Sequence, residues 1–457
     1  MTDGTLGPPP IARRPQALVE LPLSPHQQSW WAMCTRYPQA LTPLLTVVYR
    51  LRGPLVVEAW LRAADAVADR HEGLRMRFVS RERGPVQVVE PPNGLDVDRV
   101  DLRDLPAAAR EDRARALLRE RAHGASDIER GRLVTACLLR LADDDHLWML
   151  AVHHILADGA SMAIIDQEMG VFYRAFVDGV EPALPDLSVR YGDYLVWYQA
   201  AHHQQHDDDR RYWARVLDGV PMLRLRTDRP RPTLHGHNEP GAEVDHVIGG
   251  DLLARVGELG RAERFTPYMV LLAALQVLLI RQSGQRDFCF GIPVIGRHNR
   301  TDLEPLVGLF SNLVTARCQV PDDLTFREFL TVTRRTVLGA LAHQDLPFSE
   351  VVPYLNAPPD NGRPQVFPVL FDFDQPGQPD LPGLRAEWFA LDAPRSVHDL
   401  VIVASVRPSG LGVRCVYNSA VFTAATVAGM MRGLEQILRA GVERPDTPLS
   451  ALVSGPG

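Results

Sequence analysis

Residues 151–162 read AVHHILADGASM, and the types and spacing of the polar members could do chemistry. His153 and His154 end an apolar run, and Asp158-Gly159 follows within a few residues. Imidazole takes and releases a proton near neutral pH, so a neighbouring pair offers a base, a proton donor or a ligand. With 15 His, 36 Asp and 34 Gly in 457 residues, H-H-x-x-x-D-G is expected by chance about 0.003 times, which sets it apart from a short generic motif. A hydrogen-bonded structural pair at a strand end is the alternative to a catalytic one.

The elements around the motif constrain it. LWMLAVHHI (147–155) is short and apolar, as a buried strand should be, and SMAIIDQEMGVFYRAFVDG (161–179) puts Met162, Ile165, Met169, Phe172 and Phe176 on one helical face. If 147–155 is a strand, His153 and His154 point to opposite faces and do not share one metal ion or substrate atom. Asp158 would hold the strand end or orient a ring, and Gly159 would permit a tight path that a side chain forbids.

The wider chain sets the scale. At 457 residues, with 46% hydrophobic and 23% charged residues, two or three compact soluble units are expected. A net charge of −7 argues against nucleic acid as the main partner. The five cysteines are single and unpatterned, which reads as reduced thiols in a cytoplasm with no zinc site. YMVLLAALQVLLI (268–280) is too short to span a membrane, and Thr266-Pro267 before it predicts a capped, buried helix. Strand–helix alternation runs from Leu21 to about Gly179 and resumes near Glu243, with a long helix expected over 191–217. The expected division is a flexible arm over 1–20, an N-terminal lobe over 21–185 and a C-terminal lobe over 186–457, each lobe α/β.

Other polar signals weigh less. His202 and His206 in AHHQQHDDDR stand four apart, yet a solvated polar face is the better reading, and no metal site is expected. The RHE of 70–72 reads as a structural ion pair beside an amphipathic helix, and His343 as a lobe contact.

Seven landmarks in order make the chain resemble the condensation domains of nonribosomal peptide synthetases, whose signature is H-H-x-x-x-D-G. They are LSPHQQSWW (23–31), RHEGLRMRF (70–78), the histidine motif, YGDYLVWYQ (191–199), GIPVIGRHNRTDLEPLVGLFSNLVTAR (291–317), HQDLPFSEVVPYL (343–355) and SAVFTAATVAGM (419–430), covering about residues 21–450. The resemblance implies α/β layers folded as two lobes similar to chloramphenicol acetyltransferase, in a V with a central tunnel. It implies acyl transfer from a carrier protein's phosphopantetheine thioester to an amine or alcohol, with no cofactor bound by the chain itself. By the same resemblance His154 is the catalytic histidine and His153 supports it. Asp158 is structural, paired with Arg297 across the lobes, and Gly159 offers an N–H to the oxyanion. Asn312, with Ser311 beside it, lies on the acceptor side of the tunnel. Ser29 stands where an arginine is common, and Ser311 and Leu313 where Val and Thr are frequent, which leaves the acceptor type open.

No adenylation segment, carrier serine motif or G-x-S-x-G elbow occurs in these 457 residues. The expectation is therefore a free-standing, ester-forming enzyme of the kind found in enediyne antibiotic pathways, with a peptidyl carrier protein as donor partner and a small alcohol or amine as acceptor. Three other classes remain: a condensation-like recruitment module without activity, an epimerisation domain sharing the histidine motif, and a CoA-dependent acyltransferase, whose D-F-G-W-G segment is lacking.

Overall fold

The computed structural model describes residues 10–15, 17–36, 44–122, 128–201, 206–231, 239–297, 300–321, 324–355, 367–374, 380–391, 395–396, 398–407 and 410–454. In chain order the elements begin with β1 (Glu20–Pro22), α1 (Pro25–Arg36), β2 (Leu44–Arg52), α2 (Val57–Arg70), β3 (Met76–Arg81), β4 (Gly84–Val89) and β5 (Val97–Asp101). Next come α3 (Ala107–Ala122), β6 (Val134–Ala142), β7 (Asp145–His153), α4 (Gly159–Asp178), α5 (Tyr191–Ala201) and α6 (Asp207–Val216). The chain continues through β8 (Glu239–Gly249), α7 (Gly250–Glu263), α8 (Pro267–Ser283), β9 (Asp287–Val294), β10 (Asn312–Gln319), α9 (Phe326–Ala342) and α10 (Phe348–Val351). It closes with β11 (Val369–Asp374), β12 (Arg385–Trp388), β13 (Arg395–Ser396), β14 (Leu400–Arg407), β15 (Gly410–Asn418), α11 (Ala424–Glu443) and α12 (Leu449–Val453).

Two compact units emerge. The first joins residues 1–206, 295–311 and 377–392; the second joins 207–294, 312–376 and 393–457. The expected division near residue 185 is therefore displaced, and two later segments return to the first unit. The cause is packing. Tyr191 and Tyr194 of α5 are buried beside Phe310, with ring centroids 5.1 and 4.7 Å away. Tyr191 donates its hydroxyl to the Leu309 carbonyl at 2.9 Å. The long helix expected over 191–217 is two helices, α5 and α6; of the two histidines read as a solvated polar face, His202 lies outside the described residues and His206 is buried.

In the first unit a five-stranded sheet has the order β12-β2-β7-β6-β5, and a three-stranded sheet the order β1-β4-β3. β7 is central and pairs antiparallel on both sides, with one irregularity on the β6 side between Arg140 and Ala142, and its residues are almost all buried. Residues 10–15 do not behave as a loose arm: Ile11 is in the core, and the Arg14 guanidinium holds Glu72 at 2.9 Å and Asp193 at 3.0 Å. The RHE segment is structural as expected, with Arg70 and His71 both on Glu168 at 3.1 and 2.8 Å.

The second unit is a seven-stranded mixed sheet, order β10-β9-β11-β14-β15-β8-β13, in which β11 runs parallel to β9 and β14. Its central helix is α8, buried along nearly its full length. Thr266 caps it by accepting from the Met269 N–H, Pro267 opens it, and Gly284 ends it at φ 74°. Among the described residues no single helix is long and apolar enough to cross a membrane. His343 stays within this unit, on Asp209 at 2.6 Å and stacked on Tyr212 at 3.9 Å.

Candidate active site

β7 delivers the histidine pair and stops there. The strand ends at His153, and His154 already belongs to a turn, so the alternation expected of a longer strand does not reach it. The two rings meet the same face of α1, one helical turn apart. His154 stacks on Trp30 with centroids 5.0 Å apart and planes 23° from parallel. His153 places Nε2 3.8 Å from the Cys34 Sγ.

The two imidazoles have different assignments. His153 is buried, and its Nδ1 accepts the Ile155 N–H at 3.1 Å, which fixes the proton on Nε2 and aims it at the sulfur. Burial, with a smaller push from His154, lowers its pKa to about 4, so it is neutral at physiological pH. Burial also raises Cys34 to about 11 and keeps that thiol protonated. His154 is partly exposed as a residue, while its Nδ1 is buried and has no hydrogen-bond partner among the described residues. Desolvation lowers its pKa; the backbone of His154 itself, Asp158 and the backbone of Ala157 pull the other way but do not reverse it. A neutral ring results, ready to accept a proton.

Asp158 organises the turn. It caps α4: its Oδ1 accepts the Ser161 N–H at 2.8 Å and the Ser161 hydroxyl at 2.7 Å. Its Oδ2 accepts the backbone N–H groups of Phe310 and Ser311, both at 3.0 Å. Arg297 approaches at 3.4 Å, donates to the Leu306 carbonyl at 2.8 Å, and lies 4.5 Å over the Phe310 ring. Ser161 completes the lock: its hydroxyl oxygen accepts the Gly308 N–H at 3.1 Å, and the Gly308 carbonyl, 2.8 Å away, shares the single hydroxyl proton with Asp158. This corrects the expected tie between lobes: Arg297 and Asp158 are both in the first unit, and the carboxylate is held chiefly by backbone N–H groups and Ser161.

Gly159 also departs from expectation. It is exposed, its φ is ordinary, and a Cβ there would meet nothing within 4 Å. No tight path requires a glycine; open space lies before the first turn of α4, where the N–H groups of Gly159 and Ala160 precede the intrahelical bonds.

Ser311 contributes its N–H to Asp158. Asn312 belongs to the second unit, and its carboxamide is spent on backbone. Nδ2 donates to the carbonyls of Gln344 and Leu346 at 2.7 and 2.8 Å, and Oδ1 accepts from Leu313 and Phe348 at 2.8 and 3.1 Å. Those four bonds exhaust the group. In this structure the carboxamide holds the HQDLPF turn, where the resemblance implies a place on the acceptor side.

Sequence reasoning missed Trp30 and Ser161. Ser161 was legible in principle as the third residue after an N-cap Asp, whereas nothing local links Trp30 to a ring 124 positions later. Next to Trp30 in sequence, Trp31 lines a separate open cleft of about 940 Å³ with Leu23, Arg83 and Gln199; none of the motif residues lines it.

The condensation-domain family model matches residues 18–455. A linear gramicidin synthase of Brevibacillus parabrevis is 34% identical over 449 residues, 97% of this chain but 9% of that protein. This chain thus spans under a tenth of that curated relative. The structure superposes on the X-domain in its complex with OxyB from teicoplanin biosynthesis (TM-score 0.81, 25% identity, 99% of this chain and 100% of that one). It also superposes on SgcC5 of Streptomyces globisporus, solved with (R)-(-)-1-(2-naphthyl)-1,2-ethanediol and sucrose (TM-score 0.72, 26% identity, 93% of this chain and 100% of that one).

Proposed function

Because the chain belongs to the condensation-domain family, we propose that it transfers an aminoacyl group from the phosphopantetheine thioester of a peptidyl carrier protein to an amine or alcohol. The observation that carries this reading is the partly exposed His154 ring just past the end of β7, five residues before the open first turn of α4.

The chain's residues then act as follows. The acceptor nitrogen or oxygen attacks the thioester carbonyl carbon while His154 takes the acceptor's proton, forming an imidazolium and a tetrahedral oxyanion. The Gly159 N–H, with the positive end of α4 behind it, faces that oxyanion. Collapse breaks the carbon–sulfur bond, and the imidazolium returns its proton to the thiolate, so a thiol and an ester or amide leave. His153 holds the turn from behind, and Asp158 fixes the backbone of Phe310 and Ser311 without entering the chemistry. We take an alcohol as the acceptor, giving an ester in a natural-product pathway; the diol in the SgcC5 structure supports that choice.

A panel of aminoacyl carrier thioesters, each offered amine and alcohol acceptors and read by mass, tests the proposal with His154→Ala alongside. Product that depends on His154 supports it; equal product from both proteins overturns it. The likeness to an X-domain solved in complex with OxyB favours a second reading, a module that binds a partner enzyme and catalyses nothing. Partner capture with no product across the whole panel would establish that alternative. Deuterium exchange at the donor's α-carbon without any acceptor would instead mark an epimerase.

A further inference from the structure

A histidine that works as a base is ordinarily oriented by a hydrogen bond at its second nitrogen, often to a carboxylate. His154 has no such carboxylate: its Nδ1 is buried without a well-formed hydrogen bond among the described residues, and only the backbone of His154 itself and of Ala157 bears on the ring from that side. The nearest carboxylate in sequence, Asp158, is committed on both oxygens to Ser161, Phe310, Ser311 and Arg297. What the ring does have is an indole laid against one face, at 5.0 Å and 23°. Trp30 is itself only partly buried and packs on the first unit's core. Four residues along the same helix, Cys34 meets His153, so α1 registers both imidazoles.

We propose that Trp30 is the positioning residue of the His154 imidazole, taking by aromatic stacking the place that an orienting carboxylate has elsewhere; the inference rests on the reading of His154 as the base. A stacked indole confines the plane of the ring, keeps the nitrogen lone pair in that plane and excludes water from one face. The open edge of the ring is then the part offered to an acceptor.

The test is a double-mutant cycle on the full chain, assayed with the aminoacyl carrier thioester and acceptor that the wild type turns over fastest in the panel above. Trp30→Leu is expected to lower kcat about ten- to a hundredfold, with KM for either substrate changed less than about twofold. Trp30→Phe, which keeps a ring to stack, should recover most of the loss. In the His154→Ala background, Trp30→Leu should cost nothing further. Equal costs in both backgrounds, or a raised KM with kcat intact, would show Trp30 to be a wall of the site and overturn the proposal.

A readout free of turnover accompanies the cycle. In protein carrying ¹³C-histidine, the His154 ring protons, assigned from His154→Gln, should lie upfield in the wild type and in Trp30→Phe, and move downfield in Trp30→Leu. Their indifference to Trp30 would overturn the stack itself. If His154→Ala turns over like the wild type, the base assignment fails and takes the positioning role with it. If His154→Ala is inactive and Trp30→Leu fully active, the positioning role alone fails.

Discussion

The turn after β7 and the turn held by Asn312 are both built from polar motif residues, yet they spend their hydrogen bonds differently. At Asn312 every donor and acceptor of the carboxamide is matched to a backbone group. After β7 the bonds are concentrated on Asp158 and Ser161, while His154 keeps a buried nitrogen without a partner among the described residues and Gly159 opens onto empty space. A saturated side chain is a tie. At His154 the buried Nδ1 is out of reach, and it is the partly exposed edge of the ring that a reacting group can meet.

The sharpest way to break this contrast is to cut the tie next to the site. Asp158→Ala strands the Phe310 and Ser311 N–H groups and the Arg297 charge; it should cost about 3–5 kcal/mol of stability and abolish turnover together. Chemical denaturation and the carrier assay read both, and a stable but inactive variant would move Asp158 from structure into chemistry. His154→Ala should do the reverse, lowering turnover by about 10²–10⁴ while the melting temperature stays close to wild type. Asn312→Ala, which releases four backbone groups, should destabilise by about 2–3 kcal/mol and reduce activity only as far as it unfolds the chain. A drop in kcat at full stability would instead return Asn312 to the substrate.

The pH dependence of stability separates two buried groups of opposite sign. His153 has a folded pKa of about 4 against an ordinary 6.5. The unfolded state therefore binds the extra proton between those values, so this contribution to stability is full above pH 6.5 and is lost as pH falls to 4. Asp166, buried on α4 with the Tyr49 hydroxyl donating to it at 2.7 Å, is pushed up to about 7 by burial. Here the folded state holds the proton, and the contribution is full below an ordinary carboxylate's 3.8 and lost as pH rises through 7. Asp166→Asn should thus raise the melting temperature at pH 8, by on the order of 1 kcal/mol of stability, and do little at pH 4. An equal effect at both pH values would mean that the carboxyl does not titrate there.

What could be read along the chain was local. The motif, the strand before it, the helix after it and the capped α8 depend on neighbours within a turn or two, where side-chain period and capping chemistry are written in residue types. Resemblance across seven landmarks added the family. It did not reveal that Asp158 is held by the N–H groups of Phe310 and Ser311, since any residue but proline carries one and sequence cannot mark which will be used. Nor could it show that residues 295–311 and 377–392 return to the first unit, that Asn312 is saturated, or that an indole in α1 lies against His154. The residue types at the site were set by the sequence. Which of their atoms are tied and which are free was decided only by tertiary packing, because that depends on groups more than a hundred positions away whose approach no local pattern records.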